Sequence, residues 1–167
     1  MLTFVDNNAE TEVSGIQGAD ESKRLSDLTF SSEGASRNKA VESLAAIIGK
    51  ELVNAETGIK AVINIAHRNK LVSAKAVGRS ITNGFSAKQH FAVASRIDRT
   101  WEHANLAETR PDRNGDPNIV AVRRFTTPIL LDGGPATAYI TAKESLEHGN
   151  RVYSLELQEI KARSQQR

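Results

Sequence analysis

The 167-residue sequence contains no cysteine, which excludes a disulfide framework and a thiolate metal site. Its four histidines are scattered and suggest no set of metal ligands, so neither a metal nor another cofactor is expected. No apolar run approaches the roughly 20 residues of a membrane-spanning helix, and the N-terminus lacks the basic start and apolar stretch of a signal peptide. These absences predict a soluble protein without a membrane partner.

Acidic residues are concentrated at the start of the chain and are scarce in the region of residues 67–99. Residues 1–33 hold seven acidic and two basic side chains, a net charge of −5, so residues 34–167 carry +7. Residues 67–99 alone hold seven basic side chains against Asp98, a local charge of +6. Such a patch attracts phosphate groups and gives salt-dependent affinity for polyanions. A solvent-exposed helix face without a ligand is an equally good interpretation of this run of charges.

The pattern of apolar residues predicts a tail followed by one domain. Residues 1–33 are too poor in apolar side chains to offset the ordering cost of a packed element, so we interpret them as an acidic flexible linker or tail, with the domain at 34–167. Helical spacing predicts a helix over 41–52 and a second over 69–83, and alternation predicts a strand at 59–65. Ser86 and Gln89 form a capping box, the clearest helix start in the chain.

The last fifty residues carry three strand-like runs, Ile119–Ile129, Thr137–Glu144 and Arg151–Ile160. Turn-forming residues at 131–135 and 148–150 separate them, and the turn-rich segment 110–117 precedes them. That segment lacks the regular acidic positions of a calcium loop. The sequence therefore predicts an α+β fold in which N-terminal helices pack on a small antiparallel sheet.

Polar residues that alternate with apolar ones in the last two runs share one face of the predicted sheet. They are Thr141, Lys143, Ser154 and Glu156. The parity of the first run is ambiguous, so either Arg123 or Arg124 can join them. If the apolar sets pack on the helices, these polar side chains line an open groove.

This combination of residue types suits RNA cleavage without a metal, which needs a base, an acid and cations near the phosphorus. Glu156 or a histidine is the candidate for proton transfer, Arg124 and Lys143 are candidates for clamping phosphate, and Thr141 and Tyr153 for orienting it. The start of the second helix offers further phosphate contacts, at Lys70, Ser73 and Lys75. Among the histidines only His90 lies on an inward helix stripe, where an interior structural role is the commoner outcome.

Several segments, taken as an ordered set, resemble a known family. They are Lys70–Lys75, Asn83-Gly-Phe85 with His90 beyond it, Arg124-Phe125, Ile140–Ser145 and Arg151–Leu157. The set resembles phage and mobile-element domains known as large polyvalent protein-associated nucleases, assigned to the barnase/EndoU/colicin/RelE-like superfamily. The resemblance implies a barnase/RelE-like α+β fold and a metal-independent ribonuclease. By position it implies a catalytic set of His90, Arg124, Thr141 and Tyr153, to which the residues themselves add Glu156. It also implies phosphate contacts at Lys75 and Lys143, and Ser154 joins these as a substrate-binding candidate.

The expected function is therefore that of a ribonuclease toxin or effector domain, with tRNA or ribosome-bound RNA as candidate substrates. Such a domain acts in the bacterial cytoplasm after delivery with a phage particle or a secretion system. An acidic immunity protein that covers the basic groove is the expected partner. The alternative is a non-catalytic module that binds nucleic acid or a partner protein through the same face.

Overall fold

The computed structural model describes residues 22–163 and has an α+β fold, as the sequence predicts. After a short helical segment at 22–27, five helices occupy the region before the long strands: α1 (Arg37–Ala45), α2 (Ile65–Leu71), α3 (Ala74–Thr82), α4 (Ala87–Ala94) and α5 (Ile97–Glu102). In the described part of the chain, no helix is long and apolar enough to cross a membrane.

The main sheet contains five strands, β1 (Thr29–Phe30), β4 (Asn105–Arg110), β5 (Ile119–Leu131), β6 (Gly134–Glu147) and β7 (Asn150–Ala162). Strands β5, β6 and β7 form an antiparallel meander, and β4 also pairs antiparallel with β5. The sheet is mixed rather than purely antiparallel, because β1 runs parallel to the end of β5. A separate hairpin joins β2 (Glu51–Val53) to β3 (Lys60–Val62).

The structure confirms the three predicted C-terminal strands and both connecting turns. Each turn places two consecutive residues at positive φ: Asp132 and Gly133 at 51° and 81°, and His148 and Gly149 at 53° and 81°. Two such residues in a row give the hairpin turn whose twist matches that of the flanking strands. The alternation of apolar and polar residues, together with the residue types in the turns, is sufficient to predict this part of the fold.

The predicted helices are shorter than their apolar patterns suggest. The helix predicted over 69–83 is divided between α2 and α3 at Ser73, whose hydroxyl accepts the Ala76 N–H at 3.2 Å and so caps a new helix. The helix that begins at the confirmed Ser86 capping box ends at Ala94, and α5 starts at Ile97. The helix predicted over 41–52 ends at Ala45, and Leu52 lies in β2.

The strand predicted over 59–65 is also shorter than predicted, because β3 ends at Val62 and Ile65 begins α2.

The packed domain begins before the predicted boundary at residue 34. Leu28 and Phe30 are buried in the core, and β1 pairs with Leu130 and Leu131 of β5. The Ser32 backbone N–H also donates to Asp132 Oδ1 at 2.8 Å. The interpretation of all of 1–33 as a linker is therefore corrected for residues 22–33, of which 22–27 form the short helical segment, while residues 1–21 lie outside the described part of the chain.

One face of the main sheet packs against the helices and forms the core. Trp101 of α5 is fully buried, and its ring meets Phe125 of β5 edge-on with centroids 4.7 Å apart. The indole N–H donates to the Leu52 carbonyl at 2.8 Å, which ties the β2–β3 hairpin to the same core. The opposite face of the sheet carries polar and charged side chains, and it is the face on which a site can form.

Candidate functional site

The strand register decides which polar side chains share the open face of the sheet. Arg124 of β5 lies opposite Thr141 of β6, which lies opposite Glu156 of β7. Lys143 is likewise opposite Ser154. Because directly opposed residues of antiparallel strands project from the same face, these five side chains share one surface. The register also resolves the ambiguity at β5 in favour of Arg124, since the neighbouring Arg123 projects from the other face.

Helix α3, which packs against β7, borders this surface and completes a cleft of about 370 Å³. The cleft is lined by Lys75, Arg79, Arg110, Asp112, Arg113, Asn114, Val122, Thr141, Lys143, Glu156 and Gln158. A smaller depression of about 220 Å³ shares Lys75, Arg79, Lys143 and Glu156 with it and adds Lys70 and Ser73. We call the two together the basic cleft.

Cations outnumber carboxylates in the basic cleft, and several of them are unpaired. Lys143 Nζ lies 3.3 Å from Glu156 Oε2, and Arg110 Nε lies 3.3 Å from Glu108 Oε2. The other cations of the cleft form no ion pair with any residue of the described chain; they are Lys70, Lys75, Arg79 and Arg113. Arg124, which adjoins the cleft on the same face of the sheet, forms none either. This surplus of positive charge is suited to an anionic ligand.

Two arginines of this surface also have buried donors without an acceptor. The Nε groups of Arg110 and Arg124 are inaccessible to solvent and make no hydrogen bond within residues 22–163. The nearby Glu108 carboxylate does not reach Arg110 Nε in hydrogen-bond geometry. A buried donor without an acceptor costs about 1–3 kcal/mol, so proteins seldom leave one unpaired unless a ligand or water supplies the acceptor.

Polar groups in the cleft are oriented by their neighbours. Thr141 is 7% exposed, and its hydroxyl donates to Gln158 Oε1 at 2.9 Å, so Thr141 orients Gln158. The Ser73 hydroxyl donates to the Lys70 carbonyl at 2.9 Å and caps α3. Lys70 and Lys75 themselves are exposed at the rim. Thr141 and Ser73 are thus better placed to position their neighbours than to contact a ligand.

His90 lies away from the basic cleft. It is fully buried, its Nδ1 lies 2.8 Å from Ser80 Oγ, and its Nε2 lies 2.9 Å from the Leu71 carbonyl. A carbonyl can only accept, so Nε2 carries the proton and Nδ1 accepts from the Ser80 hydroxyl. Ser80 Oγ in turn accepts the Ile160 N–H at 3.1 Å. His90 therefore joins α2, α3 and β7, and the structure does not place it with the predicted catalytic residues.

Tyr153 is also separated from the predicted set, because it projects from the other face of the sheet. It pairs with Glu144 in the register, and the Arg123 guanidinium lies 5.8 Å from its ring centroid. Glu144 is fully buried there and accepts hydrogen bonds from Arg123 and Arg151. The structure thus brings together Arg124, Thr141, Lys143, Ser154 and Glu156, and it leaves His90 and Tyr153 elsewhere.

We expect the protein to lose stability as the pH falls from about 7 to about 5, since burial lowers the pKa of His90 below its ordinary value. The unfolded chain then binds a proton that the folded protein excludes, which costs up to about 1.4 kcal/mol per pH unit for each such histidine. The His67 pKa is lowered too, so a His90→Gln variant should lose only part of this slope.

Chemical denaturation at pH 7 and pH 5 measures this effect, with the exposed His148→Gln as the matched control. The control should keep the full wild-type pH dependence. An unchanged slope in His90→Gln would contradict the buried, neutral state of His90.

Sequence reasoning missed part of the cleft lining, including Arg79, Arg110, Arg113 and Gln158. Arg79 follows Lys75 by four residues and so shares its helix face, a signal that was present in the sequence. The sequence predicts that Arg110 and Arg113 lie in a turn-rich loop, because the residues of β4 show no apolar alternation. The pairing of β4 with β5 places Arg110 opposite Val122, and Arg113 lies in the loop that follows β4.

A group of possible metal ligands lies outside the basic cleft. Among the described residues, ligand atoms of Asp27, Glu102 and His103 lie within 4.8 Å of one another. Lys23 Nζ lies 3.1 Å from Asp27 and 3.7 Å from Glu102. The hydrogen bond from His103, opposed in part by burial, lowers the pKa of Asp27. The group is therefore an ion-pair cluster that ties the segment before β1 to the end of α5.

The fold and the cleft define a small α+β domain with a basic cleft on the open face of its sheet. The family model for large polyvalent protein-associated domain 3 matches residues 31–153, and the chain belongs to this family. Neither a curated protein nor a solved structure gave a significant match. Family membership confirms the predicted resemblance to domains of large polyvalent proteins. The family description names neither a nuclease nor a barnase-like superfamily.

Proposed function

We propose that the basic cleft binds RNA and that the domain cleaves the RNA backbone without a metal ion. The observation that carries this proposal is the surplus of unpaired cations in the cleft, beside the Glu156 carboxylate on the open face of the sheet. Lys75, Arg79 and Arg113 have no acidic partner in the described chain and line the cleft together with Glu156, which lies beside Lys143. Arg124, also without an ionic partner in the described chain, lies on the same face of the sheet. Cations of this kind bind phosphate, and the carboxylate supplies a proton acceptor.

The chemistry assigns separate tasks to these groups. Glu156 accepts the proton of the ribose 2′-hydroxyl, the 2′ oxygen attacks phosphorus, and the bond from phosphorus to the 5′ oxygen breaks. The leaving 5′ oxygen takes up a proton from water, so the products are a 2′,3′-cyclic phosphate and a 5′-hydroxyl. Arg124 lies on the same face as Glu156 and stabilises the charge that builds on the non-bridging oxygens. Lys143 holds the Glu156 carboxylate and adds a second positive charge.

Binding should depend on the RNA backbone more than on its bases. The part of the cleft that the structure describes is lined by no aromatic side chain, so it offers no platform on which a base could stack. Affinity from phosphate contacts alone falls with salt, by a log–log slope of about −0.7 for each contact with a single strand. With four contacts, a change from 50 to 200 mM salt should weaken binding by about 50-fold.

Fluorescence anisotropy of a labelled uridine 12-mer tests this proposal. The double variant Lys75→Glu/Arg79→Glu reverses two charges of the cleft, and we expect it to abolish most of the binding and to flatten the salt slope. Arg37→Glu/Lys39→Glu is the matched control, because it makes the same charge change on exposed residues of α1. Equal loss of affinity in both variants would mean that net charge, and not the cleft, determines binding.

A further inference from the structure

His67 is held in a fixed orientation at the start of α2. Asn64 Oδ1 accepts the His67 backbone N–H at 2.8 Å, and His67 Nδ1 accepts the Asn64 backbone N–H at 3.2 Å. The pair is a capping box in which histidine replaces the usual glutamine or glutamate. Since Nδ1 accepts a hydrogen bond, the neutral ring carries its proton on Nε2. That donor has no hydrogen-bond partner in residues 22–163.

The ring lies outside the lining of the basic cleft but near its end, close enough to interact with the charges of Lys70, Glu156 and Lys143. Lys70, which lines the cleft, follows His67 by three residues on the same helix, so both side chains lie on one helix face. Helix α2 packs against β7, the strand that carries Glu156. His67 is half-buried, and the capping box keeps its ring rigid at this end of the basic cleft.

The charges around His67 come from three elements. Burial and then the Lys70 ammonium lower the pKa of His67, with a smaller contribution from Lys143 of β6. Glu156 of β7 and Glu147 of β6 oppose this shift and raise the pKa in part. The net effect favours the neutral imidazole, whose Nε2–H is a hydrogen-bond donor without a charge of its own.

We propose that His67 is a phosphate-contacting residue of the basic cleft, whose Nε2–H donates to a non-bridging oxygen of the RNA backbone. The inference depends on the proposed function for the identity of the ligand, and it extends the cleft by one helical turn beyond Lys70. The capping box pre-orients the donor, so little side-chain entropy is lost when it binds.

The variant His67→Gln separates contact with the ligand from the structural role of the residue. Glutamine at this position preserves the capping box, so the melting temperature should stay close to that of the wild type. Loss of one neutral hydrogen bond should weaken binding of the uridine 12-mer about fivefold. A loss of stability in the variant without any loss of affinity would show that the histidine only caps the helix.

Nitrogen-15 NMR of the imidazole rings gives a direct readout, with the His67 signals identified by their absence in His67→Gln. Saturation with the 12-mer should move the His67 Nε2 signal and leave that of the exposed His148 in place. A His67 signal that stays fixed while the RNA binds overturns the inference and leaves the proposed function standing. If the wild type does not bind RNA, the proposed function fails, and titration with pyrophosphate then decides whether His67 contacts anions.

Discussion

Replacement of Arg124 with glutamine should lower the rate of RNA cleavage by about 10²- to 10³-fold, the usual effect of removing one donor that stabilises transition-state charge. Arg124 has no ionic partner among the described residues, and its buried Nε lacks an acceptor. It lies in register with Thr141 and Glu156, so its side chain shares the face of the sheet on which Glu156 would accept the 2′-hydroxyl proton. Single-turnover cleavage of a labelled RNA in EDTA measures the effect.

Two further variants show whether the position and the shape of the cation matter. Arg124→Lys keeps the charge but loses the planar fork, so its rate should fall between the wild type and Arg124→Gln. Arg37→Gln removes an exposed arginine of α1 and should leave the rate unchanged. Wild-type cleavage by Arg124→Gln would exclude a role of this side chain in the reaction.

The variant Glu156→Gln should lose about 10²- to 10⁴-fold in cleavage rate and yet bind RNA at least as tightly as the wild type. The amide cannot accept the 2′-hydroxyl proton, which removes the base. It also removes a negative charge that now lies 3.3 Å from Lys143 Nζ, so that lysine becomes free to bind phosphate. Cleavage rates and anisotropy on the same RNA report the two effects separately.

Glu108→Gln is the matched control for this prediction. It also removes a carboxylate that pairs with a cleft cation, Arg110, but Glu108 lies on the edge strand β4 and is assigned no proton transfer. We expect Glu108→Gln to tighten binding and to keep the wild-type cleavage rate. Equal losses of cleavage in both variants would contradict the role of Glu156. Tight binding by a wild type that never cleaves would favour a non-catalytic binding module.

The C-terminal meander could be predicted from the sequence because its signals are local. Apolar residues alternate in β6 and β7, and the turns contain residues that tolerate positive φ. The five-strand sheet could not be predicted in full, since β1 has two residues and β4 is exposed along most of its length. Both strands are defined by their pairing with β5, which depends on residues distant in sequence.

The candidate site could be predicted only in part, because it also depends on pairings between residues distant in sequence. Strand alternation predicts that Lys143 and Glu156 share one face, and the register with β5 adds Arg124 to it. The alternation within β5 is ambiguous because the apolar Val122 is buried on this otherwise polar face. The choice between histidines could not be made from helix patterns. His90 does point inward, as predicted, but tertiary packing closes its surroundings, whereas the apparently ordinary His67 lies near the cleft.

The most direct test is incubation of the purified protein with total bacterial RNA in EDTA, beside folded Arg124→Gln and Glu156→Gln variants. A metal-independent ribonuclease that acts through the basic cleft should give discrete fragments with 2′,3′-cyclic phosphate ends, and both variants should leave the RNA intact. Intact RNA with the wild type, or the same fragments with all three proteins, would contradict cleavage at this site.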